Sequence, residues 1–357
     1  MVQNAKFELI FVVNLTHLRV IRHKLQTTTS KIPLIRLSSI NPFLVELKRR
    51  GVDYSGILRR WDLPAGVPVS AELFVSALTV YEIVEESAIV ADDPGLGYTI
   101  GRNLDLNQWD PIAKAVTDAE TVGDMLRFFV VNALDHSSST DFYVRTKGAR
   151  TTFGFERVLV PPFAPSQNDA FYFGFFDRLL RQAAGVHWDR NEVLARVANP
   201  AVIPRDPENA RLAQGDRSGM QISFPTAWQF SRLAKSAFSI EHRPDVVPHI
   251  PATLVDSVRI ALQPHLHDTE LSVGKAAKIC GYEKRKLSRL LSEQGTTIAK
   301  EISALRAEVA RRKLAESRIR IAAIGSEVGF KDPTVFSRAF KNWTGQSPQE
   351  YRRNNRV

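Results

Sequence analysis

Apolar positions recur at helical spacing over most of the chain and alternate with polar ones in a stretch near its middle. From Asn41, NPFLVELKRRG and YSGILRRWDLP predict amphipathic helices over residues 42–50 and 53–61, and later periodic runs predict helices over 70–90, 111–117 and 121–134. Ser70, followed by Glu72 and Leu73, reads as a capped start for the third of these. Thr121 with Asp124 three residues on marks another N-terminus. The segment SSTDFYVRTKGARTTFGFERVL alternates on either side of Lys147-Gly148-Ala149, the pattern of an antiparallel hairpin. Residues 193–198 and MQISF at 220–224 predict further strands, and the apolar run over 169–185 predicts a helix. Few glycine-rich turns lead from strand to helix, so this body is α+β and not a nucleotide-binding sheet.

The last hundred residues carry one pattern twice. VGKAAKICGYEKRKLSRLLSEQG from Val273 and IAAIGSEVGFKDPTVFSRAFKNWTG from Ile321 align Gly281 with Gly329, Tyr282 with Phe330, Leu287 with Val335 and Arg289 with Ser337 or Arg338. Each copy predicts a short helix, a glycine turn and a second helix, the layout of a helix-turn-helix. Ala276, Ala277 and Cys280, or Ile321, Ile324, Gly325 and Val328, give the first helix its apolar face. The second helix is expected to bury Leu287, Leu290 and Leu291, or Val335, Phe336 and Phe340. Its other face offers Lys284, Arg285, Ser288 and Arg289, or Thr334, Ser337, Arg338 and Lys341, with Asp332 ahead of the latter set. Such side chains suit base edges and phosphates in a major groove. Between the copies, residues 297–316 contain no proline or glycine and place Ile298, Ile302, Leu305, Val309 and Leu314 at helical spacing. A helix of that length spans roughly 30 Å, comparable with the ~34 Å between successive major-groove faces of B-DNA.

Charge sharpens this division. Residues 253–357 hold 20 Lys and Arg against 11 Asp and Glu, residues 51–252 hold 19 against 25, and the first 50 residues hold 9 against 2. A cationic end on an acidic body is the footprint of a nucleic-acid binder. The single cysteine, Cys280, excludes an internal disulfide and any cysteine zinc cluster, points to a reducing compartment, and is expected to be core packing. No apolar run reaches the ~18 residues of a membrane span, and LIFVVNL at residues 9–15 lacks the flanks of a secretory signal. Pro244, Pro248 and Pro251 mark a semi-rigid linker.

The tail GFKDPTVFSRAFKNWTGQSPQEYRR resembles the signature of the AraC/XylS family of bacterial transcription regulators, and the likeness extends over residues 252–353. More loosely, NPFLVELKRRGVD, GLGYTIG and the strand ending ISFP resemble the N-terminal ligand-binding domain of the subgroup that includes ornithine-responsive regulators. The resemblance implies an effector-responsive activator that reads two successive major-groove segments. Its expected partners are double-stranded DNA, a small-molecule effector, a second copy of itself and RNA polymerase, with no cofactor, metal or membrane. Where the family usually places a capping serine this chain has Glu283 and Lys331, with Asp332 and Pro333 positioned to take over in copy two. Gly325 stands where alanine is usual, at about 1 kcal/mol of helix propensity.

The organisation expected is a basic arm over residues 1–35, an effector-binding and dimerisation domain over 36–240, a linker over 241–251 and an all-α domain with two helix-turn-helix motifs over 252–357. The DNA-contacting set is Lys284, Arg285, Ser288, Arg289, Thr334, Ser337, Arg338 and Lys341, with Arg311, Arg312 and Lys313 as a solvated or phosphate-facing row. Trp343, Pro348 and Tyr351 should close the core of the second motif. His265 and His267 lack a third metal ligand, and Asp135-His136 beside three serines lacks a nucleophile elbow. Trp61, Trp109, Phe128, Phe129, Phe171, Tyr172 and Phe175 are the aromatic side chains from which an effector pocket and the core could both be drawn. Alternative readings are a DNA-targeted enzyme or repair protein, and a constitutive ligand-free dimeric regulator.

Overall fold

A computed structural model of the chain describes residues 17–19, 32–61, 63, 73–106, 109–133, 136–233 and 253–355. The body runs β1 (His17–Arg19), β2 (Leu34–Arg36), α1 (Asn41–Arg49), α2 (Ser55–Arg60), β3 (Phe74–Ser76), α3 (Ala77–Val90), α4 (Leu96–Arg102), α5 (Asp110–Asp118) and α6 (Val122–Asn132). It continues through the hairpin β4 (Thr140–Lys147) and β5 (Arg150–Arg157), then α7 (Ser166–Ala184), β6 (Leu194–Val197), β7 (Arg211–Gln214) and β8 (Gly219–Pro225). The basic end is helical: α8 (Leu254–Leu262), α9 (Val273–Ile279), α10 (Lys284–Ser292), α11 (Ile298–Glu316), α12 (Ile321–Glu327), α13 (Pro333–Thr344) and α14 (Pro348–Asn355). An α+β body followed by an all-α domain is the fold class the periodicities predict.

Six strands form one sheet in the order β1-β4-β5-β8-β6-β7, antiparallel except for the parallel pair β6–β7. The hairpin has the expected turn, with Lys147 opposite Arg150 and Phe142 opposite Phe155. Alternation along β8 buries Met220, Ile222 and Phe224, and α7 packs on the sheet through Tyr172 and Phe176, the Phe153 and Phe176 rings lying 4.2 Å apart and the Phe155 and Tyr172 rings 5.0 Å. Helix α4, unforeseen in GLGYTIG, lies so close to α7 that a Cβ on Gly101 would sit 2.0 Å from the Phe171 carbonyl. The Thr121–Asp124 capping box forms in both directions.

Two expectations need correction. The helix expected over 70–90 begins at Ala77, where Ser76 Oγ accepts from the Leu78 N–H, and Phe74–Ser76 instead pairs with Leu34–Arg36 as a two-stranded ribbon. Ser70 lies outside the described residues. The arm assigned to residues 1–35 is also too long at its end, since Ile32 and Leu34 are fully buried. The linker over 241–251 lies outside the described residues.

Three apolar cores result. One fills the body. A second holds α8, α9, α10 and the first half of α11 through Ile298, Ile302 and Leu305, and takes in Ile32, Leu34 and Phe74 from the β2–β3 ribbon. The third gathers Ala310 and Leu314 of α11 with Ile324, Val328, Phe336 and Phe340, and Val309 packs against both of the last two. The rod between the motifs is therefore a structural member of each. Its 19 residues span about 28 Å at ~1.5 Å per residue.

Candidate nucleic-acid interface

Both second helices bury one stripe and expose the other. In α10 Leu287, Leu290 and Leu291 are buried, whereas Lys284, Arg285 and Arg289 are exposed and Ser288 is half-buried. In α13 Phe336 and Phe340 are buried, Thr334, Arg338 and Lys341 are exposed, and half-buried Ser337 donates to the Pro333 carbonyl at 2.9 Å. Lys284, Arg285 and Arg289 make no ion pair among the described residues, which leaves their charge available to an anion. On α11, Lys313 pairs with Glu327, while Arg311 and Arg312 are exposed.

Val335 does not belong to the core: it is 42 % exposed. The register of the repeat is the cause. The turn of the second motif is one residue longer, so α13 starts at Pro333 where α10 starts at Lys284, and Leu287 corresponds to Phe336, Arg285 to Thr334 and Arg289 to Arg338. The Asp-Pro pair carries the signal for this, because aspartate favours the N-cap and proline the first helical position. Lys286, also exposed and 5.2 Å from the Tyr282 ring, takes the place that Val335 holds in the second copy.

Capping differs between the copies. Glu283 provides no side-chain cap to α10. Asp332 Oδ1 accepts from the Thr334 N–H at 2.6 Å, an interaction that holds its carboxyl below the usual carboxylate range, and Gly345 closes α13 in a left-handed conformation. Gly325 is likewise no defect, since a Cβ there would lie 3.0 Å from the Phe336 ring. Trp343 and Tyr351 pack edge-on to Phe340, 6.4 and 5.4 Å away, and close the second core with buried Pro348. Gly329 combines φ +81° with a Cβ position only 2.5 Å from the Leu266 carbonyl and close to the Arg306 guanidinium, which lies over the Phe330 ring and donates to the Asp268 carbonyl at 3.1 Å. Cys280 is buried, and desolvation pushes its thiol pKa up.

Of the aromatic side chains weighed for a pocket, Trp109, Phe129, Phe171 and Tyr172 line a cavity in the body. Phe175 is core, Trp61 packs against the core, and Phe128 is 39 % exposed. His136 reaches the same cavity, and Asp135 lies outside the described residues. His265 is buried, and no group of three His, Cys, Asp or Glu among the described residues is placed to hold a metal. No described helix is long and apolar enough to cross a membrane.

The family model described as the arabinose-binding domain of AraC transcription regulator, N-term, matches residues 51–209, and the helix-turn-helix domain model matches residues 276–354. The HTH-type transcriptional regulator VirS of Mycobacterium tuberculosis is 22% identical over 344 residues, covering 89% of this chain and 96% of its own. The arabinose operon regulatory protein of Escherichia coli is 34% identical over 92 residues, covering 26% of this chain and 32% of its own. The crystal structure of the transcriptional regulator CdpR from Pseudomonas aeruginosa aligns with 88% of this chain and 98% of its own at 16% identity, with a TM-score of 0.36.

Proposed function

The chain belongs to the AraC/XylS family of transcription regulators, which are not enzymes, and from that premise we propose that it is an effector-responsive, homodimeric activator whose α10 and α13 read successive major-groove segments of one operator face. The observation that carries this is the pair of equivalent exposed faces on α10 and α13, held by one unbroken helix that belongs to both cores. Arg285 and Arg289 contact guanine edges; Lys284, Ser288, Ser337 and Lys341 hold phosphates; Thr334 and Arg338 face bases under the second motif. The body binds the effector and the second copy, and the DNA-bound dimer contacts RNA polymerase in the cytoplasm. Regulation requires the effector to favour one arrangement of the body on the DNA-binding domain over another.

The test is hydroxyl-radical footprinting of the full chain on DNA that it selects from a random pool. Two protected segments per protomer, one helical turn apart, are expected. Protection of a single segment would defeat the two-headed reading, and no selection at all would defeat DNA recognition.

A further inference from the structure

A cavity of about 50 Å³ lies inside the body between α3, α6, α7, β4 and strand β2. At the ~10–15 Å³ one water requires, it holds about three to five waters. Apolar carbon makes up most of its wall, with the rings of Trp109, Phe129, Phe142 and Phe171 among it, and hydroxyl and amide groups such as Ser137, Ser139 and Asn168 supply the polar edge. Among the described residues, His136 is the one basic side chain that lines it, and no Asp, Glu, Lys or Arg does. The buried charges Arg157 and Asp169, 0% and 1% exposed, are paired with each other, and Arg157 also donates to cavity-lining Asn168 at 2.9 Å. Beyond the single imidazole of His136, a charged ligand would lose its hydration here without meeting an opposite charge among the described lining residues.

Resting on the effector reading above, we infer that this cavity takes a small, uncharged, planar aromatic molecule of the phenol or indole class, and that strand β2 relays its entry to the DNA-binding domain. The ligand lies against the aromatic wall and exchanges one hydroxyl or ring N–H with the serine and asparagine edge.

Size dictates the relay. A six-membered ring exceeds a space of a few waters, so a wall yields on binding. Helices α3, α6 and α7 share the body core, with the Phe129 and Phe176 centroids of α6 and α7 5.9 Å apart, and β4 is an inner strand of the sheet. Outside these elements the wall is Trp109, which belongs to the same aromatic cluster, Ser39 and Phe43 in the turn and helix that follow β2, and Ile35 on a strand of three residues together with the loop at His136 and Ser137. That loop moves with the strand: Leu34 N–H donates to Ser138 Oγ at 3.0 Å, Ser138 N–H donates to the Leu34 carbonyl at 2.9 Å, and Arg36 N–H donates to the His136 carbonyl at 2.9 Å. Successive strand side chains point to opposite faces. Ile35 thus meets the cavity, while Leu34 is fully buried in the core shared with α8, beside Leu254 and Val258. A second contact runs parallel to the first. Val158 N–H donates to the carbonyl of cavity-lining Ser139 at 2.8 Å, and the next residue, Leu159, places its Cδ2 2.5 Å from where a Cβ of Gly281 would be, at the turn before α10.

The full-length chain is titrated with phenol, indole, benzoate and L-arabinose while its melting temperature and its affinity for the selected operator DNA are followed. Phenol or indole is expected to raise Tm saturably and to change DNA affinity at least about threefold, with benzoate and arabinose inert. Ala133→Leu, which fills the cavity from its wall, is expected to remove binding in a chain that still melts cooperatively. Leu34→Ala should keep the ligand-dependent Tm rise and lose the change in DNA affinity; Phe74→Leu on the facing strand serves if Leu34→Ala does not fold. Failure of both aromatic probes, or binding of benzoate or arabinose at least as strong, overturns the ligand class, and an undiminished DNA response in the β2 and β3 variants overturns the relay. A chain that selects DNA but ignores every probe sinks this inference alone, whereas a chain that selects no DNA sinks the regulator reading.

Discussion

Arg285 and Thr334 hold the same place, the second residue of α10 and of α13, and both side chains are exposed. Equivalent positions on two rigidly joined helices should face equivalent depths of two grooves while offering different chemistry, a bidentate cation in one and a short hydroxyl in the other. Arg285→Ala is therefore expected to flatten base preference in one operator segment only, by about 1–3 kcal/mol of discrimination per base pair. Thr334→Ala should act on the other segment. Base-preference profiles of each variant on the selected DNA check this, and a change spread evenly over both segments would contradict it.

The register of the second motif gives a sharper contrast between neighbours. Val335→Ser should leave stability within about 0.5 kcal/mol, as exposed substitutions usually do, and weaken DNA binding. Phe336→Ala, one residue on, should cost about 3–5 kcal/mol by opening a cavity in a small core. Urea denaturation of the full chain distinguishes them; equal losses would restore Val335 to the core.

The two turn glycines should differ in tolerance. Gly281→Ala meets the end of the Leu159 side chain, which can turn aside, so only the left-handed backbone penalty of about 1–2 kcal/mol remains. Gly329→Ala carries the same penalty and also collides with the Leu266 carbonyl. Its loss should exceed about 2 kcal/mol. Comparable melting temperatures for the two variants would count against this packing.

Burial lifts the Glu85 carboxyl, which accepts from the Gln167 N–H at 2.6 Å, from 4.5 to about 7. Between pH 4.5 and 7 the folded chain holds this proton more tightly than the unfolded one, so the stability it confers is complete below pH 4.5 and is lost as pH rises through 7. Glu85→Gln keeps an acceptor without the charge. Its unfolding free energy from urea titration should gain on wild type as pH rises from 5 to 8, by up to about 3 kcal/mol at 1.36 kcal/mol per tenfold in proton affinity. Parallel pH profiles would place Glu85 in a more solvated setting.

Legibility followed the length of each local pattern. The Leu287–Leu291 stripe, the unbroken run from Ile298 to Leu314 and the Thr121–Asp124 box are signals within single elements, and each was readable without partners. The ribbon of Leu34–Arg36 and Phe74–Ser76 has too few residues to show a period, and β7 owes its place to pairing with β6, not to its own half-exposed side chains. Val335 was misplaced because the second turn is one residue longer, although Asp332-Pro333 contains the correction. The cavity draws its wall from segments between Ile35 and Tyr172, and no local rule separates Trp109 and Phe129, which line it, from Phe175, which does not.

The shared rod has a consequence for the DNA rather than for the protein. With α11 seated in both cores and free of any joint, the distance and angle between the two readers are inherited together. An operator can then exchange bases one at a time, each at about 1–3 kcal/mol. A single base pair inserted between its two segments turns one against the other by about 35°, from the 10–10.5 base pairs in a turn, and no flexing of the chain compensates. Binding sites for this protein should therefore drift in letters across a genome while keeping one fixed interval, and a search for them is better keyed to spacing than to consensus.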